Sequence, residues 1–172
     1  VEKGGEIIPK IIKVNLDLRK PDTKAIHFIE NCPECGTPLI RKEGEAAYYC
    51  TNDDGCGPQM VGKIQHFIGR QAMNIDGLGD ETIETCYKRG LVRRISDLYK
   101  LHEKAEELKT MERFGQKSID NMLPGIEKSK EMPFEKVLFG LGIRYVGETV
   151  AKKLAKGVKT IDNLAVATLE EL

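Results

Sequence analysis

Four of the five cysteines in this chain crowd into "CPECGTPLIRKEGEAAYYCTNDDGC", residues 32–56, as Cys32-x2-Cys35 and Cys50-x5-Cys56. Tetrahedral zinc takes four soft ligands, delivered by two short turns that face each other. "CPECG" suits one such turn, because Pro33 stiffens it and Gly36 can take the positive φ that points backbone N–H groups at sulfur. "CTNDDGCG" is a longer version, in which Gly55 and Gly57 relieve crowding around Cys56. Between the pairs, "PLIRKEGEAAYYC" is expected to form a hairpin turning at Lys42–Gly44. Two disulfides are the alternative, but Cys-x2-Cys is the commoner metal pattern and nothing else in the chain points to an oxidising compartment. Cys32, Cys35, Cys50 and Cys56 are therefore the candidate zinc ligands. Four thiolates close the coordination sphere, so the metal is expected to be structural. Cys86 stands at helical spacing from Ile83 in "ETIETCYKRG" and reads as a small buried hydrophobe. His66 reads as a packed or surface histidine, because four cysteines already fill the sphere.

The rest of the chain carries a repeat. "IDGLG" ends at Gly79, "MERFG" at Gly115 and "IRYVG" at Gly147, each with a helical pattern before and after it. The unit is helix, short hairpin, helix, recurring every 32 to 36 residues. Glycine lets the backbone approach another molecule, and the first N–H groups of the second helix have no intrahelical partner. With the helix dipole they form a cup for a phosphate oxygen. Such contacts read no base edge and would be independent of sequence. A plain helical hairpin, turned by glycine alone, is the other reading. Glycines 79 and 147 are expected at positive φ. Arg113 replaces glycine in the second copy and could itself touch phosphate, while Pro124-Gly125 is expected to kink or restart the helix that follows.

Charge narrows the partners only locally. Lys and Arg number 27, as do Asp and Glu, so the chain is not globally basic. Lys88, Arg89, Arg93, Arg94 and Lys100 crowd one stretch against Asp97 and suggest a basic face. No apolar run approaches bilayer length. "IIKVNLDL" alternates, with Ile12, Val14, Leu16 and Leu18 on one face, and is expected to be a half-buried strand at the end of a β-barrel. The start at Val1 and the end inside a helical pattern suggest a piece of something longer.

In order and over nearly the whole chain, "GGEIIPKI", the four-cysteine stretch, "AMNIDGLGDETIE", "MERFGQKSIDN" and "GLGIRYVGETVAKKLA" resemble the bacterial NAD-dependent DNA ligases after their nucleotidyltransferase domain. The resemblance implies a mainly α fold, with a tandem helix-hairpin-helix domain preceded by a small four-cysteine zinc finger and a partial OB-fold β segment. The implied boundaries are 1–27 for the OB-fold end and linker, 28–60 for the zinc finger and 61–172 for the hairpins, with a fourth hairpin cut short. It places zinc on the four cysteines, and DNA contacts on Gly77, Gly79, Gly115, Lys117, Gly142, Arg144, Gly147 and Thr149. It implies a parent enzyme that seals nicks in duplex DNA in replication and repair, independent of sequence. That parent would be monomeric and cytoplasmic, using NAD and magnesium at sites outside this chain.

The departures concern chemistry. The family's adenylated lysine lies in Lys-x-Asp-Gly, a motif this chain lacks; "NIDG" puts Asn74 at that place. No catalytic residue is expected here, and no NAD-binding or BRCT element is visible. The competing classes are a zinc-stabilised protein-interaction adaptor and the DNA-binding module of another repair protein.

Overall fold

The computed structural model describes residues 2–4, 8–111 and 114–171; Arg113 and its expected phosphate contact lie outside them. Two units are present, residues 1–30 and residues 31–172. In the first, β1 (Glu2–Gly4) pairs antiparallel with β2 (Ile8–Lys10). The strand expected over Ile12–Leu18 is not formed. Residues 11–15 have no regular structure, and Leu16–Leu18 makes one 3-10 turn begun by Asn15, whose side chain accepts the Asp17 N–H at 3.1 Å. A strand is stable when a neighbour takes its backbone groups and a layer covers its apolar face. Among the described residues of this unit nothing does either for residues 11–18, and Ile12, Val14, Leu16 and Leu18 are exposed.

In the second unit the hairpin between the cysteine pairs forms as expected. β3 (Leu39–Arg41) faces β4 (Tyr48–Cys50), with Leu39 opposite Cys50 and Arg41 opposite Tyr48, and Gly44 turns at φ +78°. Helices follow: α1 (Gly57–Ile68), α2 (Asp80–Lys88), α3 (Ile95–Leu98), α4 (Ala105–Lys109), α5 (Gln116–Ser129), α6 (Phe134–Gly140), α7 (Glu148–Val158) and α8 (Ile161–Val166). One continuous core joins Ile64, Phe67 and Ile68 of α1 to Ile83 and Cys86 of α2, to Leu98, Leu101 and Leu108, and to Ile119, Met122 and Ile126 of α5. Cys86 is fully buried in it, and burial raises its thiol to about 11, as suits an inert core residue. Among the described residues, no helix is long and apolar enough to cross a membrane.

Helix α5 departs from expectation. Pro124 lies inside it, yet the helix runs unbroken from Gln116 to Ser129. An interior proline costs about 3 kcal/mol. Burying each large apolar side chain returns about 1.5–3 kcal/mol, and α5 buries Ile119, Met122 and Ile126. The packing of that face therefore outweighs the proline. The neighbouring glycine has a separate reason. A Cβ on Gly125 would run into the Asp76 backbone, and a Cβ on Gly77 (φ +83°) would lie 2.8 Å from Met122 N and Cα. The turn of the first hairpin and the side of α5 thus press backbone against backbone, and each needs glycine.

A second correspondence was not anticipated. "VRRISDL" and "VKTIDNL" begin α3 and α8 with matching caps, Arg94 at φ −135°, ψ 161° and Thr160 at φ −134°, ψ 160°. The short helices that follow α2 and α7 therefore start in the same backbone conformation, although six residues lead into α3 and only two into α8.

Gly→Ala in a helix interior ordinarily stabilises, by about 0.5–1 kcal/mol. Gly62→Ala, at a site in α1 where a Cβ meets nothing within 4 Å, should follow that rule in denaturant unfolding. Gly125→Ala should reverse the sign and destabilise by about 1–3 kcal/mol, the scale of an overpacked core. Equal effects would mean that the close approach at Asp76 is absent.

Candidate metal centre and nucleic-acid interface

The first cysteine turn is closed by backbone: Gly36 N–H donates to Cys32 O, Cys32 N–H donates to Thr37 O, both at 2.9 Å, and Gly36 takes φ +72°. This matches the expectation for "CPECG". In the second turn, Gly55 and Gly57 keep ordinary φ; Gly55 makes room beside the Asn52 side chain, and Gly57 is the first residue of α1. Cys50 ends β4 and Cys56 caps the N-terminus of α1. The four ligand atoms lie within 4.8 Å of one another. Cys32 and Cys56 sulfurs are 3.9 Å apart and those of Cys35 and Cys50 3.5 Å. Four sulfurs around zinc at about 2.3 Å stand about 3.8 Å apart, so the cluster has the size of a zinc site. Both separations far exceed the roughly 2.05 Å of a disulfide bond, and all four thiols are free, so the structure holds neither disulfide of the alternative reading.

The electrostatics of the four thiols also suit a dication. Hydrogen bonds with Thr37, whose Oγ1 lies 3.2 Å from Cys35 Sγ, lower Cys35 to about 6. The Asn52 backbone N–H pulls Cys50 down, but burial and the Cys35 and Cys32 thiols push it up to about 11. Burial raises Cys56 as well. One thiol ionises easily and its neighbours then resist; a bound cation removes that repulsion. The Cys56 sulfur also sits at the start of α1, where the helix dipole favours negative charge. His66 is elsewhere: its Nε2 hydrogen-bonds Phe139 O at 2.9 Å and its ring packs, tilted by 60°, 4.8 Å from that of Phe139.

The three hairpin glycines occupy equivalent places. Gly79, Gly115 and Gly147 are the N-caps of α2, α5 and α7, all extended, none with a side-chain cap on the first turn. A Cβ at any of them would meet nothing within 4 Å. Gly79 (φ −111°) and Gly147 (φ −76°) are not left-handed, contrary to expectation. The left-handed residues lie upstream at matching offsets: Asn74 (+46°) and Gly77 (+83°) before Gly79, and Gly142 (+65°) and Tyr145 (+69°) before Gly147. The turn itself needs positive φ, whereas the cap needs only an open surface. Gly77 is accordingly packed on α5, and the nearest atom to a Cβ on Gly142 would be in the His66 ring, at 3.5 Å.

The charges around the three caps differ. The first turn of α5 holds no acid, and Lys117 there is exposed. Asp80 and Glu81 stand in the first turn of α2 and oppose an anion. Glu148 in α7 is offset by Lys136 at 3.1 Å and Lys152 at 3.3 Å, and Thr149 beside it is exposed. Part of the expected basic stretch is committed within the fold. Arg93 stacks 4.7 Å from the centre of the Tyr87 ring, Arg89 donates to Thr110 Oγ1 at 2.9 Å, and Asp97 accepts both the Arg93 and Arg94 backbone N–H groups. Arg144 is also engaged, 2.9 Å from a Glu45 carboxylate oxygen. Glu45 and Tyr49, which build this contact, carried no signal in the sequence, because only the fold brings residues 45 and 144 together.

The NAD-dependent DNA ligase C4 zinc finger domain model matches residues 31–57, and the helix-hairpin-helix motif model matches residues 136–172. The first match ends just past Cys56 and contains all four clustered cysteines. Over all 172 residues, the chain is 59% identical to a DNA ligase of Phocaeicola vulgatus. The chain belongs to the bacterial NAD-dependent DNA ligase family. It is likewise 58% identical to a DNA ligase of Cytophaga hutchinsonii and 55% to one of Bacteroides fragilis, each over the whole chain. The chain spans about a quarter of the length of these curated relatives, 26% in Phocaeicola vulgatus and 25% in Cytophaga hutchinsonii.

Elemental analysis should give one zinc per chain. Cys50→Ser should abolish it and unfold residues 31–57, because structural zinc contributes on the order of 10 kcal/mol to such small modules. A metal-free chain with wild-type stability would contradict the site.

Proposed function

We propose that this chain is the DNA-gripping part of an NAD-dependent DNA ligase. The observation that carries the proposal is the set of three glycine-capped helix starts, Gly79, Gly115 and Gly147, alike in conformation and open to solvent. Each offers first-turn N–H groups to a phosphate oxygen. Lys117 and Thr149 would add side-chain contacts, and Lys117 belongs to the one of these three helix starts that carries no acid. Gly77 and Gly142 serve the turns behind these cups. Residues 1–27 would be the end of an OB-fold with its linker, 28–60 the zinc finger and 61–172 the hairpin domain.

The parent enzyme would seal nicks in duplex DNA in the cytoplasm, as a monomer. There a lysine, with magnesium, would take AMP from NAD, releasing nicotinamide mononucleotide, and pass it to the 5′ phosphate, and the 3′ hydroxyl would then displace the AMP. The chain has no Lys-x-Asp-Gly, so its part would be to hold the duplex while residues elsewhere do the chemistry. Incubated with NAD and magnesium, it should gain no AMP by mass; a stoichiometric adduct would contradict that assignment.

Fluorescence anisotropy with nicked and intact duplexes tests the grip. Affinity should be weak, indifferent to base sequence, and fall with salt by about 0.9 in logarithmic slope for each phosphate neutralised. Gly79→Val and Gly147→Val should each weaken binding with zinc content unchanged, because the new side chain fills space the phosphate needs. Lys117→Ala should lower the slope. No salt-sensitive binding at low ionic strength would favour the adaptor.

A further inference from the structure

Arg144 stands at the centre of a cluster that joins the metal hairpin to the third helical hairpin. Its guanidinium lies 5.1 Å from the centre of the Tyr49 ring and 5.0 Å from that of Tyr145, and 2.9 Å from Glu45 Oε1. Glu45 is in the turn between β3 and β4, and Tyr49 is in β4, one residue before a cysteine of the metal cluster. Tyr145 holds the left-handed position two residues before the Gly147 cap, where the first hairpin has Gly77. A tyrosine there is strained unless its surroundings hold it, and the Arg144 guanidinium lies against its ring. The Tyr49 side chain, more than any other neighbour, lowers the Glu45 carboxyl from its ordinary range, so Arg144 faces a carboxylate. Arg144 thus makes one ion pair and two ring contacts, and a guanidinium brings a flat face and a fork of N–H donors to them that an ammonium lacks.

We propose that Glu45 and Tyr49 are positioning residues for DNA binding: through Arg144 and Tyr145 they fix the third hairpin's phosphate cup against the metal module, and Arg144 acts as a strut, not a phosphate ligand. The inference rests on the DNA-binding reading for its purpose, but the strut itself is a property of the DNA-free chain. It also gives the metal a use at a distance, because the hairpin that carries Glu45 is anchored by Cys50 at its far end. The two roles for Arg144 predict opposite signs for Glu45. If Glu45 positions, its loss weakens binding. If Arg144 pairs with phosphate, Glu45 competes with DNA for it and its loss strengthens binding.

Two readouts on the zinc-loaded 172-residue chain separate these. In Glu45→Gln, amide hydrogen exchange over residues 143–147 should quicken without DNA, with zinc content unchanged. Duplex affinity should fall about two- to fivefold, the scale of a half-exposed ion pair, with an unchanged salt slope. Arg144→Lys, which keeps the charge but not the planar stacking, should behave the same, and combining the two should add little. Tighter binding by Glu45→Gln, or full affinity in Arg144→Lys with a slope smaller by about 0.9 in Arg144→Gln, would overturn the strut. Unchanged exchange over residues 143–147 would overturn it whatever DNA does. Quickened exchange in a chain whose wild type binds no duplex would overturn the DNA-binding reading, and the positioning role with it.

Discussion

The second unit hangs on one residue that belongs to two structures. Cys56 closes the four-cysteine cluster and is also the N-cap of α1. Its side chain is nearly inaccessible, so the metal site and the first helix cannot be displaced independently. α1 then sends Met60, Ile64, Phe67 and Ile68 inward, and the core built on them reaches α5. A small four-thiolate module has little apolar area of its own and depends on metal for its shape. Here that shape passes directly into a helix, and through the Glu45–Arg144 pair it reaches the third hairpin as well.

The glycines divide into kinds that serve different ends. Gly77 and Gly125 exist for contact between hairpin and helix: a side chain at either would strike backbone. Gly36, Gly44 and Gly142 supply left-handed turns. Gly79, Gly115 and Gly147 have neither need, being extended and open. A glycine that neither packing nor backbone conformation demands is best accounted for by something that must come close from outside. That makes those three the strongest local argument for an approaching phosphate backbone.

Much of this was legible in the sequence where the signal is local. Cysteine spacing and the hairpin turn at Gly44 are set within a few residues, and the hairpin repeat shows as a period in the glycines. What failed was decided by tertiary context. The alternation at Ile12–Leu18 is a real strand pattern, but a pattern provides no partner, and the segment lies exposed. Pro124 reads as a breaker until the packed face of α5 is weighed against it. Gly125 reads as a second breaker until Asp76, far away in sequence, is found against it. The clasp of Glu45 and Tyr49 on Arg144 left no trace in residue order at all.

The most direct test of the central claim is residue-resolved: backbone amide shifts of the zinc-loaded chain, followed by NMR as a short nicked duplex is added. The account predicts that the largest changes cluster at the starts of α2, α5 and α7, in the first turns after Gly79, Gly115 and Gly147, and are the same for duplexes of different sequence. Changes confined to other surfaces, or dependent on base sequence, would contradict it.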